Sequence, residues 1–217
     1  MSEPTPGPEH LIIFVKAPRP GTVKTRLVET LGALGACEAY CRLVESLLSR
    51  LSSLRQVELR FTPDDAGAEI KRWLRPGWTA RPQGTGDLGT RLEAAFAETF
   101  DRGAECVITV GSDCPAVTPT DVQDAWRALE SADVVLGPAQ DGGYWLVALR
   151  RPQPDLFHDI AWSTAVVLTQ TLARAKAAGL RVHRLRELSD VDTAEDWHGF
   201  LASGSPGRLS GAPPSLT

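Results

Sequence analysis

Residues 111–115 read Gly-Ser-Asp-Cys-Pro and follow the apolar run Cys106-Val107-Ile108-Thr109-Val110. A carboxylate just past a buried strand, in a turn bounded by glycine and proline, suits a divalent metal held against nucleotide phosphates. In open α/β sheets, ligands collect at that edge. Asp113 is therefore the candidate metal ligand, and Ser112 can support it with a hydrogen bond. The plainer alternative is that Asp113 only caps a helix or forms the turn. Cys114 is a candidate nucleophile, but no histidine stands near it in sequence to activate it.

Five more segments carry side chains of the same kind. Lys16, Arg19, Lys24 and Arg26 put four cations within eleven residues of a loop shaped by Pro18, Pro20 and Gly21. Next to a helix N-terminus such a loop can clamp a di- or triphosphate, although it lacks P-loop spacing. In Gly84-Thr85-Gly86-Asp87-Leu88-Gly89 the glycines allow close approach to a flat ligand, and Asp87 can accept from a base or ribose. Asp141-Gly142-Gly143 can offer backbone amides to a substrate, with Tyr144 and Trp145 lining a pocket or filling core. Trp162-Ser163-Thr164 precedes an Ala-rich helix, where the hydroxyls can bind an anion or merely cap. Asp190 and Asp192, at i and i+2, point to one side if extended. Either can supply a second metal ligand, while Asp192 with Glu195 also fits a capping box. The four histidines follow no ligand spacing.

These residues need a scaffold in which strands and helices alternate. Continuous apolar runs predict buried strands at 11–15, 57–62, 106–110 and 134–136, with further strands at 78–81, 144–149 and 181–185. Helical periodicity predicts one helix from about Val23 through Leu34 and another over 37–51. Further helices are expected from an Asp64-Asp65 cap to Leu74, over 90–102, from a Thr118 cap with Pro119 to Ser131, from Ser163 or Thr164 to Ala178, and from Asp192 onward. The pattern predicts a three-layer α/β/α sandwich with a mainly parallel sheet and an antiparallel insertion around Asp141-Gly142-Gly143.

With 217 residues, 42% of them hydrophobic, the chain can bury a core as one domain over residues 11–202, flanked by disordered segments at 1–10 and 203–217. A net charge of -4 argues against a nucleic-acid partner. No apolar run reaches the roughly 18 residues that cross a bilayer, so no membrane role is expected. Residues 1–10 lack the features of a secretory signal, which points to the cytoplasm. Cys37, Cys41, Cys106 and Cys114 do not form a disulfide framework at this length.

In order, the motifs are K-x-P-x-x-G-x-x-K-T-R-L, G-D-L-G-x-R, G-S-D-C-P, D-G-G-Y, W-S-T and D-x-D-T. The ensemble resembles the GT-A-type nucleotide-diphospho-sugar transferase superfamily over about residues 11–200. Within it, the branch associated with radical-SAM/selenodomain genes is closest, and the phospholactate and molybdenum-cofactor guanylyltransferases are similar. The resemblance implies that Lys16, Lys24 and Arg26 contact nucleotide phosphates, with Pro18, Gly21 and Thr25 in the same loop. It implies magnesium, or alternatively manganese, on Asp113 together with Asp192 or Asp190. Asp87 and its glycines Gly86 and Gly89 are placed near the nucleotide or second substrate. The first loop departs from the Gly-rich G-x-G-x-R of the sugar-nucleotide synthesising relatives, and the central strand carries one aspartate rather than a D-x-D pair.

Three functions follow as expectations. The first is nucleotidyl transfer from an NTP to a small phosphorylated acceptor with release of pyrophosphate, catalysed by positioning and charge neutralisation through Lys24, Arg26 and Asp113. The second is glycosyl transfer from a nucleotide sugar, with Asp141 as base. The third is a nucleotide-binding domain without catalysis. A monomer or homodimer is expected.

Overall fold

The computed structural model describes residues 8–203. Their strands are β1 (Glu9–Lys16), β2 (Val57–Thr62), β3 (Thr79–Pro82), β4 (Cys106–Gly111), β5 (Val134–Pro138), β6 (Tyr144–Leu149) and β7 (Val182–Arg184). The helices are α1 (Val28–Arg50), α2 (Gly67–Ile70), α3 (Leu88–Asp101), α4 (Pro119–Leu129), α5 (Val167–Ala177) and α6 (Ala194–Ala202). The strands form one sheet in the order β3-β2-β1-β4-β6-β5-β7. Only β6 runs antiparallel to its neighbours, β4 and β5, so the insertion sits where the Asp-Gly-Gly turn placed it.

Alternate strand residues feed two separate cores, as the period of two requires. Leu11, Ile13 and Val15 of β1 pack on one face with Tyr40, Val44 and Leu47 of α1 and with Val122 and Ala125 of α4. Ile12 faces the other way, towards Leu92, Ala95 and Phe96 of α3 and Ala175 of α5. Helices on both faces of the sheet make the expected three layers. Strand order reverses between β1 and β4, and that reversal opens a crevice at their carboxyl ends.

Several local expectations are corrected. Glu9 and His10 belong to β1, whereas 1–10 were expected to lack structure; positions 1–7 and 204–217 of that expectation lie outside the described residues. The two helices expected after Val23 are one helical run broken at Gly32, whose φ of 70° and ψ of 168° leave helical space. Asp64 and Asp65 do not cap α2, which begins after Ala66 without a side-chain cap. Asp64 instead accepts from the Gly84 N–H. Helix α3 starts two residues early because Asp87 is its cap. Ser163 and Thr164 do not cap α5, whose N-cap position is Val166. The last capping box is Thr193 with Asp196 rather than Asp192 with Glu195. That shift of one residue frees the Asp192 carboxylate for other partners.

Candidate active site

The loop leaving β1 and the turn leaving β4 are tied together by one buried phenol. Tyr40 Oη accepts from the Lys16 backbone N–H at 2.7 Å and shares a 3.1 Å hydrogen bond with Ser112 Oγ. Ser112 thus supports the turn through Tyr40 rather than through Asp113, as the sequence suggested. The Asp113 carbonyl accepts from the Val191 N–H, which brings the 190–192 segment against the same turn.

Four aspartates converge there. Asp113, Asp141, Asp190 and Asp192 line a cleft of about 410 Å³ between the ends of β1 and β4 and the β5–β6 turn. Lys24 answers them. Its ammonium lies 2.6 Å from Asp113 Oδ1 and 2.8 Å from Asp192 Oδ1, with the side chain only 4% exposed. Burial works against the charge on Lys24, but Asp113 and Asp192 outweigh it, and its pKa is raised. Lys24 reaches them from a left-handed backbone, φ 46° and ψ 46°. Arg26 adds a looser pair to Asp192 at 3.3 Å. Among the described residues no cation forms an ion pair with Asp190. Burial, then the charges of Asp113, Asp141 and Asp192, push its pKa up to about 7, with Lys24 opposing.

A divalent metal fits this donor set. Among the described residues no three His, Cys, Asp or Glu side chains close on one point as a ready cage. Magnesium does not require one, because it keeps several waters and takes one or two carboxylates plus substrate phosphates. Asp113 and Asp192, held one ammonium apart, offer that pair.

The remaining site residues divide. Lys16, Gly143, Tyr144, Trp162, Ser163 and Thr164 line the cleft. Tyr144 offers its ring edge-on to Trp162 at 6.3 Å, while its hydroxyl is buried and its pKa raised, chiefly by that burial. Asp141 Oδ1 accepts from the Gly143 N–H at 2.8 Å, forming the turn it was predicted to form. Pro18, Gly21 and Thr25 do not line the cleft. Arg19 is drawn away by Glu69 and Asp65, at 2.7 and 3.1 Å. Of the loop's cations, Lys16 lines the cleft, and Lys24 and Arg26 reach its edge through their ion pairs with Asp113 and Asp192.

The second glycine loop is corrected more strongly. Asp87 Oδ1 caps α3 by accepting from both Thr90 N and Thr90 Oγ1 at 2.9 Å. A Cβ at Gly89 would stand 2.5 Å from the Phe157 carbonyl oxygen, and Gly86 needs a φ of 94°. Neither position borders the cleft; Gly89 serves close helix packing. Gly142 likewise turns at φ 87° against the Ala165 backbone instead of facing substrate. Cys114 is buried and donates to the Ser189 carbonyl at 3.4 Å. Burial first, then Asp190, pushes its thiol up to about 12, which removes it as a nucleophile.

Sequence reasoning missed Tyr40, Gln83 and Arg91, all in the cleft wall. Arg91 stands in the quoted G-D-L-G-x-R motif, so its signal was on the page. Two larger hollows, of about 720 and 920 Å³, open at the opposite edge of the sheet, but no predicted site residue borders either.

A phosphoenolpyruvate guanylyltransferase from Sphaerobacter thermophilus is 27% identical over 201 residues, covering 92% of this chain and 96% of its own. A crystal structure from Desulfovibrio desulfuricans G20, described as a nucleotide-diphospho-sugar transferase, is 35% identical with a TM-score of 0.82, covering 93% of this chain and 89% of that one. A nucleotidyl transferase from Methanothermobacter shares the fold at 15% identity and a TM-score of 0.62, over 90% of this chain and 99% of that one. The fold is that of the GT-A-like nucleotidyltransferase superfamily. Residues 48–164 match the family described as "Uncharacterized protein conserved in bacteria (DUF2064)", and the chain belongs to that family.

Proposed function

We propose that the chain is a metal-dependent nucleotidyltransferase that moves a guanylyl group from GTP to phosphoenolpyruvate or a similar small phosphorylated acid. The observation that carries this reading is the Asp113–Lys24–Asp192 cluster at the carboxyl edge of β1 and β4, in a chain related over nearly its whole length to a guanylyltransferase. An oxygen of the acceptor phosphate attacks the α-phosphorus. The bond from that phosphorus to the bridging oxygen breaks, and pyrophosphate leaves with the electron pair. The protein's part is positioning and charge neutralisation, with no covalent intermediate.

Lys16 lines the cleft, and Lys24 and Arg26, paired to its aspartates, are the cations we assign to phosphate charge. Magnesium, with manganese second, is the metal we assign to Asp113 and Asp192; when bound it neutralises phosphate charge. Asp190, crowded by like charge, adds to the attraction for a cation.

The test is pyrophosphate release. Purified protein with magnesium should release pyrophosphate only when an NTP and a phosphorylated acceptor are both present, with GTP and phosphoenolpyruvate as the first pair. Release of a nucleoside diphosphate from a sugar nucleotide would instead support glycosyl transfer. That second reading is favoured by the description of the 35% identical Desulfovibrio protein.

A further inference from the structure

We propose that Arg91 is the anion clamp on the far wall of the cleft and grips a phosphoryl or carboxylate group of a substrate. The cleft is electrically lopsided. Its acidic side carries Asp113, Asp141, Asp190 and Asp192. The cations nearest that side are already engaged, Lys24 between Asp113 and Asp192 and Arg26 on Asp192. Arg91 projects from the first turn of α3 into the same cleft. Its recorded hydrogen bond is a long one, 3.5 Å from Nη1 to Gln83 Oε1. Among the described residues no carboxylate lies within ion-pair distance of it, although the exposed Asp87 one turn back feels its charge, and its Nε is shut off from solvent without a hydrogen-bond partner.

Arg91 is half-buried, and a guanidinium Nε shut off from water without an acceptor is costly unless an anion completes it. Arginine's planar fork matches carboxylate and phosphate oxygens in a bidentate fashion, which an ammonium cannot do. Gln83 fixes the geometry. Its amide nitrogen donates to the Val15 and Arg60 carbonyls at 3.1 and 3.0 Å, which locks its oxygen towards Arg91. Leu88 and Trp162 line the same cleft and give it apolar wall. A substrate lying across the cleft would meet cation-binding carboxylates at one end and Arg91 at the other.

This role concerns the site assigned above but is read independently of the reaction. Calorimetric binding of three probes, pyrophosphate, GTP with magnesium, and phosphoenolpyruvate, to the wild type, Arg91→Gln and Arg91→Lys tests it. Both variants should keep the wild-type circular dichroism and lose affinity at least tenfold for one or more probes, with Lys recovering only part of the loss. Loss confined to phosphoenolpyruvate assigns the clamp to the acceptor. Loss confined to GTP and pyrophosphate assigns it to the donor. Folded variants that bind all three probes with wild-type affinity overturn the proposal. If wild type binds pyrophosphate yet never transfers a guanylyl group, the functional reading fails while the clamp stands or falls on its own variants.

Discussion

Lys24 Nζ sits 2.6 Å from Asp113 Oδ1 and 2.8 Å from Asp192 Oδ1, on the two carboxylates proposed to hold a metal. Two carboxylates so close to each other and to Asp190 need a cation, and Lys24 supplies it when no other is present. On the proposed reading a divalent ion and Lys24 would compete for the same oxygens. Lys24→Met should tighten magnesium binding in the absence of nucleotide, and it should lower turnover by removing a phosphate-binding charge. A metal titration followed by thermal shift reads the first effect and pyrophosphate release the second. Weaker magnesium binding in Lys24→Met would sink the competition argument.

Asp113 carries a sharper expectation. Asp113→Asn keeps the shape of the turn but removes one of the charges that hold Lys24 and a metal. Losing a preorganised charge at a reacting phosphate costs on the order of a hundredfold or more in kcat. Any magnesium-dependent thermal shift should shrink with it. A variant whose metal response is unchanged would take Asp113 out of the metal site.

The scaffold under these residues was legible because its cause is local. Apolar runs at 11–15, 57–62 and 106–110 give strands, and Thr118-Pro119 gives a helix start with Asp121 completing the box. The site was legible in outline, since strand ends bring Lys16 and Asp113 to one edge. What could not be read is which polar atom takes which partner. Asp87 and Asp192 have identical chemistry, yet one closes its own helix cap and the other crosses the molecule to Lys24. Arg19 and Lys24 lie five residues apart, and tertiary contacts with Glu69 and Asp113 send them to different places. Glycine motifs were overread for the same reason: Gly89 and Gly142 answer to neighbours distant in sequence, Phe157 and Ala165.

Tyr40 is a positioning residue whose removal should be costly. Tyr40→Phe strips the acceptor from the Lys16 N–H and the partner from buried Ser112. Leaving a buried polar group unmatched costs about 1–3 kcal/mol. Denaturant unfolding should show a loss in that range. Activity should fall further than stability predicts, because the bond joins the exits of β1 and β4. A fully stable, fully active variant would show that the two exits hold their places without Tyr40.

Gly142 tests whether the Asp-Gly-Gly turn is built for packing or for ligand. Its φ is 87°, and an added Cβ would overlap the Ala165 backbone. Gly142→Ala should destabilise by roughly 1–3 kcal/mol from the backbone conformation alone, with steric overlap added. Gly21 also has a positive φ, 80°, but open space around it. Gly21→Ala should therefore be the milder change in a paired thermal unfolding measurement. The reverse order would mean that the 165 segment yields easily.

His10 gives the fold a pH dependence remote from the cleft. It is 5% exposed, and neither ring nitrogen has a hydrogen-bond partner. Burial lowers its pKa from 6.5 to about 4, against the pull of Glu58 and with Arg102 and Arg60 assisting. The unfolded chain therefore binds a proton that the folded chain refuses. Stability is indifferent to His10 above pH 6.5, falls as pH drops towards about 4, and then levels with respect to this group. The lost stability is on the order of 3 kcal/mol, from about 1.4 kcal/mol per unit of pKa difference. His10→Phe keeps a ring in the core and cannot take the proton. Urea unfolding at pH values across that interval should show a flatter profile for the variant than for the wild type. Parallel profiles would mean that His10 is protonated in the folded protein at ordinary cost, and that its burial is not what sets the acid limb.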